Sequence, residues 1–207
     1  MTTPLLTTKL HVPQACYHLV SRPRLVERLD DGLAQGHTLT LIAAPAGFGK
    51  TTLATEWLYS KCDNISSRAI AWLSLDEGDN DPARFFAYLI AALRQINEGV
   101  CQATQSLLGS PQMPPIESLA TVLTNDIAAI PTSFALVLDD YQLIRSTFIH
   151  DALAFLIEHA PPQLHVVLAT REELADQHSY WSTRRSQSDF PSFSTSGCGA
   201  KARLAGG

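Results

Sequence analysis

Basic charge and paired cysteines are scarce in this chain of 207 residues, and so are long apolar runs. Net charge is −5 and no basic face stands out, so nothing marks the chain as one that binds nucleic acid by itself. Cys16, Cys62, Cys101 and Cys198 are dispersed without a C-x-x-C pair. That spacing suits reduced thiols, most simply buried ones, better than a disulfide frame or a zinc site. No apolar segment is long enough to span a bilayer, and Met1 to Leu10 lacks the charged start and continuous apolar stretch of a signal peptide. A cytoplasmic protein without membrane contact is the expectation. Apolar residues make up 45% of the sequence, enough for one α/β domain with a substantial core.

What is present centres on Ala44-Pro45-Ala46-Gly47-Phe48-Gly49-Lys50-Thr51-Thr52. From Ala44 to Thr51 the spacing is that of G-x-x-x-x-G-K-[ST], with alanine at the first glycine position. A β-prone run, Thr38 to Ile42, precedes it, and a helical pattern follows in which Leu53, Trp57 and Leu58 share a face. Strand, glycine loop and helix start form a phosphate cradle. Gly47 and Gly49 let successive N–H groups converge on phosphate oxygens, and the helix dipole points at the same anion. Lys50 would reach the β- and γ-phosphates, and the Thr51 hydroxyl would ligate Mg²⁺. Alanine at position 44 is tolerated if its φ is negative.

Residues 1 to about 20 are polar and proline-punctuated, and read as an extended leader on the surface. Ser21-Arg22-Pro23 opens a helix with Leu25, Leu29 and Leu33 on one face. Two readings compete for Arg22: contact with the nucleotide, or the commoner solvated arginine beside a helix start. A second strand spans Arg68 to Leu75, followed by an acidic turn, Asp76 to Asp81, whose glycine falls too early for a calcium loop. Asp81-Pro82 caps the next helix, which carries Phe85, Phe86, Leu89, Leu93 and Ile96 inward. Gly99 to Pro115 reads as irregular, and Ile116 to Ile130 as a helix.

The second chemical landmark is Phe134 to Leu138, an apolar strand ending in Asp139-Asp140. Opposite a phosphate loop, one acid belongs on Mg²⁺ and the other near the attacking water; Asp139 is assigned to the metal and Asp140 to the water. By itself such a pair is equally a turn or a helix cap. A helix from Ser146 to His159 leads to a last strand, Gln163 to Arg171. Ligands sit outside the carboxyl ends of parallel strands, which places Thr170-Arg171 to sense a γ-phosphate, the alternative being an ordinary strand-to-helix loop. The strand at 68–75 and its helices intervene between the phosphate loop and the Asp-Asp strand, so those two need not be sheet neighbours. The fold expected is α/β: a three-layer P-loop NTPase with a parallel β-sheet flanked by helices.

Several segments together resemble one family: Thr8 to Pro13, Leu19 to Arg22, Ala44 to Leu53, Trp72 to Asp76, Asp79 to Phe85, Leu138 to Tyr141 and Leu168 to Arg171. They are similar to the STAND-type ATPase domain of the MalT-like, large LuxR-type transcriptional regulators, over residues 5 to about 174. The resemblance implies a nucleotide switch that rests with ADP, self-associates with ATP and an inducer, and is reset by slow Mg-ATP hydrolysis. It also implies a winged-helix piece, a helical-repeat sensor and a helix-turn-helix DNA-binding domain beyond this chain. Lys50 and Thr51 match the family's phosphate loop, Asp139 and Asp140 its acidic pair, and Arg171 its strand-terminal arginine. Ser21 replaces the glycine usual before the arginine at position 22 in related ATPases.

The expected organisation is a leader over 1–20, an ATPase core over 21–174 and an atypical, disordered tail over 175–207, serine- and glycine-rich and read as truncated or out of frame. A small P-loop kinase or unrelated ATPase is the competing enzyme reading, weakened by the Asp-Asp pair and the lack of an arginine-rich lid. A remnant that only binds nucleotide, or only associates with a full-length relative, is the non-catalytic one.

Overall fold

The structure is a computed structural model that describes residues 4–14, 21–59, 69–110, 112–171 and the backbone of 192–194. Its elements follow the apolar periodicities closely. Helix α1 spans Pro23–Ala34, strand β1 Leu39–Ala43, helix α2 Lys50–Tyr59 and strand β2 Ala69–Ser74. Helices α3 (Pro82–Arg94), α4 (Gln102–Leu108) and α5 (Ile116–Ala128) come next. Strand β3 (Phe134–Asp139), helix α6 (Thr147–Glu158), strand β4 (Leu164–Thr170) and a three-residue strand β5 (Ser192–Ser194) complete them. Caps fall where the sequence puts them: Pro23 and Pro82 stand at helix starts, where a missing N–H leaves no hydrogen bond unmade, and the Asp81 carboxylate accepts from Arg84 N–H at 2.8 Å.

All strand pairs are parallel, in the order β2-β3-β4-β1-β5. β1 and β3 are indeed not neighbours, and the strand between them is β4, with β2 outside β3. Residue alternation sorts the core into two halves. Ile42, Trp72, Val137 and Val167 face α1 and α2 with Leu29, Leu53 and Trp57. Leu73, Leu136, Val166 and Leu168 face the opposite way, towards α3, α5 and α6 with Phe85, Leu89, Leu123 and Leu153. Because both faces are covered, the strands are mostly apolar, with Thr40 and His165 bonded to each other at 3.0 Å inside and Ser74, Asp139 and Thr170 at the carboxyl ends. The result is the three-layer α/β fold the sequence implies.

Two expectations need correction. The leader does not lie extended on the surface over its described part: Thr7–Leu10 forms a 3-10 turn whose Lys9 and Leu10 are buried. Lys9 Nζ hydrogen-bonds Asp79, which is fully buried, and Asp76 Oδ2 at 3.0 Å, and lies over the Tyr88 ring. Arg84 Nε adds a bond to Asp79 Oδ1 at 3.2 Å. The acidic turn therefore works as an ion-pair socket for the leader. Burial opposes ionisation of Asp76, but the Lys9 bond and charge, the Gly78 N–H and Arg84 together hold its carboxyl below the usual range.

The second correction is α4, in a stretch that reads as irregular. Asp126 on α5 accepts from both the Thr104 N–H (2.9 Å) and the Thr104 hydroxyl (2.7 Å). Arg94 at the end of α3 donates to Val100 O and Gln105 Oε1. These tertiary bonds hold a turn of helix that local propensity does not announce.

Within the stretch expected to be disordered, Ser192–Ser194 pairs with β1, Phe193 lying opposite Ile42. A parallel neighbour there meets main-chain groups that β1 would otherwise leave unpaired. The other residues of that tail, together with Cys16, Leu19, Val20, Cys62 and Arg68, lie outside the described residues. Cys101 is buried, as a bland core cysteine should be, and burial pushes its thiol up to about 12.

Removing the Lys9 ammonium leaves Asp79 buried with Arg84 as its remaining cation. Lys9→Met should therefore destabilise the protein towards the lower end of the ~3–5 kcal/mol expected for breaking a buried pair. Urea unfolding of both proteins would measure it; an unchanged midpoint would show that the socket contributes nothing.

Candidate functional site

The carboxyl ends of β1, β3 and β4 lie side by side, with Ala43 level with Thr170 and Leu138 level with Leu168. The phosphate-loop residues leave β1 there, anchored by Ala44 N–H to Thr170 O at 3.2 Å. Ala44 is fully buried and does not have a positive φ, so its methyl replaces the usual glycine without strain. Gly47 and Gly49 have φ of +81° and +74°, the left-handed region that glycine enters freely. Nothing lies within 4 Å of a side chain added at Gly47, whereas one at Gly49 would come within 3.2 Å of the Arg22 guanidinium. Phe48, between them, is 40% exposed. Leu53 N–H to Gly49 O at 2.8 Å starts the α2 ladder, so the N–H groups of Lys50, Thr51 and Thr52 belong to the first turn, which has no intrahelical acceptors for them.

Lys50 is 8% exposed, and its ammonium donates to Ala44 O at 3.0 Å and Pro45 O at 3.3 Å. Thr51 Oγ1 donates to Asp139 Oδ2 at 2.8 Å, joining the first turn of α2 to the end of β3. Asp139 is 4% exposed, and its other oxygen accepts from Asp140 N–H at 3.0 Å. Burial pushes the Asp139 carboxyl above its ordinary range; the Thr51 hydroxyl pulls it down, the Asp140 charge adds to the rise, and the Asp140 N–H and Lys50 oppose it. Asp140 has φ +57°, a left-handed conformation that a short polar side chain tolerates.

Two residues overlooked in the sequence tie this edge together. Gln142 donates to Asp140 Oδ1 at 2.8 Å and accepts from the Arg171 N–H at 3.1 Å, linking the acidic pair to the end of β4. Glu56 on α2 accepts from the Ser21 hydroxyl at 2.6 Å and from Arg22 N–H at 2.9 Å. Arg22 Nη1 in turn donates to Phe48 O at 2.8 Å, which sets its guanidinium against the loop. Arg171 is exposed at the end of β4 and joins the cluster through its main chain. The sequence carries no local signal for Glu56 or Gln142, whose partners lie up to 35 residues away.

The residues present suit a nucleotide with a divalent cation. The Lys50 ammonium is held by carbonyl oxygens, so its charge remains available to an anion in the loop. A hydroxyl and a carboxylate 2.8 Å apart are the hard oxygen donors that Mg²⁺ takes alongside phosphate. Thr170 Oγ1, buried at the same edge, has no hydrogen-bond partner among the described residues. Such an atom is ready to bond a ligand oxygen or water. Among the described residues no group of three or more His, Cys, Asp or Glu is placed to hold a metal. No helix among them is long and apolar enough to cross a membrane.

No family model matches the chain. Over 167 residues, 81% of its length, it is 40% identical to the HTH-type transcriptional regulator MalT of Cronobacter sakazakii and 38% identical to that of Klebsiella pneumoniae. The chain spans 18% of the length of these relatives. Among solved structures it is similar to Cdc6p from Pyrobaculum aerophilum, with a TM-score of 0.50 and 12% identity, over 82% of this chain and 44% of that one. A Walker-type ATPase of Pyrococcus abyssi matches at a TM-score of 0.49 and 16% identity, over 84% and 51%. Likeness at such identity concerns the fold.

The burial of Asp139 has a measurable consequence without any ligand. Its folded pKa lies above the unfolded value of 3.8, so its contribution to stability is complete below that value and is lost as pH rises through the raised one. At neutral pH the ionised carboxylate therefore opposes folding. Asp139→Asn should melt higher than wild type at neutral pH, with the gap closing on acidification. Thermal unfolding in chelator from about pH 8 down to about pH 4 checks this; a variant that melts lower throughout would refute it.

Proposed function

We propose, from a chain that is related to the MalT-type HTH transcriptional regulators and has the P-loop ATPase fold, that it is an ATP/ADP-binding switch module with slow Mg²⁺-dependent hydrolysis. The observation that carries the reading is the Thr51–Asp139 bond at the mouth of the phosphate loop, where the two oxygen donors that a nucleotide-bound cation requires already meet. In this reading Lys50 and the N–H groups of Gly47 to Thr52 hold the phosphate chain by charge and oriented dipoles. Thr51 and Asp139 hold Mg²⁺, which when bound neutralises phosphate charge. Asp140 orients and polarises the attacking water, and Arg22, Thr170 and Arg171 respond to the terminal phosphate.

Slow turnover suits the geometry. The Asp140 carboxylate already accepts from Gln142, which competes with water for it, and P-loop ATPases commonly depend on a partner's arginine for fast hydrolysis. A slow switch serves signalling, because the triphosphate state must last long enough to be read. Self-association in the ATP state belongs to the same proposal. So does a place within a longer transcription regulator whose DNA-binding and inducer-binding segments lie elsewhere.

The direct test is thermal unfolding with ADP or ATP, with and without Mg²⁺, since a ligand that binds only the folded state raises the midpoint by mass action. Lys50→Ala should weaken nucleotide binding by roughly ten- to a hundredfold, the worth of a charge-assisted hydrogen bond of about 1.5–3 kcal/mol. Asp139→Asn should weaken Mg²⁺-dependent binding more than metal-free binding. Equal binding by wild type and both variants would defeat the assignment.

A further inference from the structure

Glu56 is the residue near the loop whose place no phosphate chemistry explains. It sits on α2, the helix that the phosphate loop opens, seven residues beyond Gly49 and so roughly 10 Å along the axis at about 1.5 Å per residue. Its carboxylate accepts three hydrogen bonds from one point of the chain: the Ser21 hydroxyl at 2.6 Å and the Arg22 N–H at 2.9 and 3.3 Å. Arg22 occupies the cap position of α1 without any capping bond from its own side chain. That side chain runs back along α2 instead and ends against the loop, Nη1 on Phe48 O at 2.8 Å and Nη2 within 3.2 Å of the space a Gly49 side chain would need. A larger residue than glycine would crowd the guanidinium there.

We propose that Glu56 is a latch: by seating Ser21 and Arg22 on α2 it presents the Arg22 guanidinium to the phosphate loop, and affinity for a polyphosphate depends on the latch being closed. The inference rests on the nucleotide reading of the loop and adds a regulatory consequence to it. The carboxylate lies on the helix that begins at Lys50, directly after the loop, so the register between them is fixed by that helix. Linkage makes the effect reciprocal: bound polyphosphate holds the start of α1 on α2, and anything that draws it away lowers polyphosphate affinity by the same factor. Glu56 touches no ligand in this scheme and is a positioning residue acting through Arg22.

The test compares wild type, Glu56→Ala, Glu56→Gln, Arg22→Ala and the Glu56→Ala/Arg22→Ala double variant, titrated with MgADP, MgATP and inorganic pyrophosphate, with Lys50→Ala as the reference for a broken loop. Glu56→Ala and Arg22→Ala should each weaken binding by roughly fivefold, in line with one partly exposed charged interaction, and the double variant should be no weaker than the weaker single one. Glu56→Gln should keep most of the affinity, because its amide oxygen still accepts from Arg22 N–H. Ligand-free midpoints separate this from a loss of packing. A response lost in Lys50→Ala but intact in Glu56→Ala overturns the latch alone, as do losses that add in full. Absence of any response in wild type overturns the nucleotide reading and the latch together.

Discussion

The hydroxyl of Thr51 and the carboxylate of Asp139 meet across a strand that belongs to neither, and the organisation of this chain follows from bringing them together. Thr51 belongs to the helix that follows β1, and Asp139 ends β3; β4 lies between. A parallel sheet whose strands end at a common level is what lets residues 88 positions apart come within hydrogen-bond distance. Both faces of that sheet must then be covered, which is why the strands are mostly apolar and why helices pack on either side. Asp139 pays for the arrangement by carrying a charge in a place that disfavours it.

Around this bond the loops form a second tier. Asn80, at the end of the acidic turn, donates to Leu143 O and accepts from the N–H groups of Arg145 and Ser146, so the turn that holds Lys9 also holds the segment after the acidic pair. Gln142 within that segment reaches both Asp140 and the main chain of Arg171. The leader, the acidic turn and the ends of β3 and β4 are thus connected by side chains whose hydrogen-bonding groups are engaged. Removing one member leaves its partners without the bonds that hold them, most costly at the buried Asp79.

Much of this was legible in the residues alone. The strands announce themselves as short apolar runs, most helices through a period of three to four, and helix starts through Pro23, Asp81 and Pro82. The candidate loop and Asp139 were legible as a pattern because phosphate chemistry demands those residue types beside a strand end. The turn at Thr7–Leu10 and helix α4 were not, because what stabilises them is distant: Asp79 for Lys9, Asp126 for Thr104. Glu56 and Gln142 escaped for the same reason, since a glutamate on the half-buried flank of a helix looks like any solvated acid until its partners arrive. Local pattern identifies the parts whose chemistry is local; the long-range polar bonds that aim them have no signature in a single sequence.

The position of β4 constrains how the module can move. Flanked by β1 and β3 and buried along its whole length, it is hydrogen-bonded on both sides, so sliding the phosphate loop against Asp139 would break two main-chain ladders at once. A densely packed interior resists such shear. The sheet therefore behaves as a fixed bench, and a change of state must be expressed at its rim, at the start of α1, the turn after Asp139 and the end of β4. All three open on the carboxyl edge of the sheet, so a signal travelling through this domain would enter and leave by the same side.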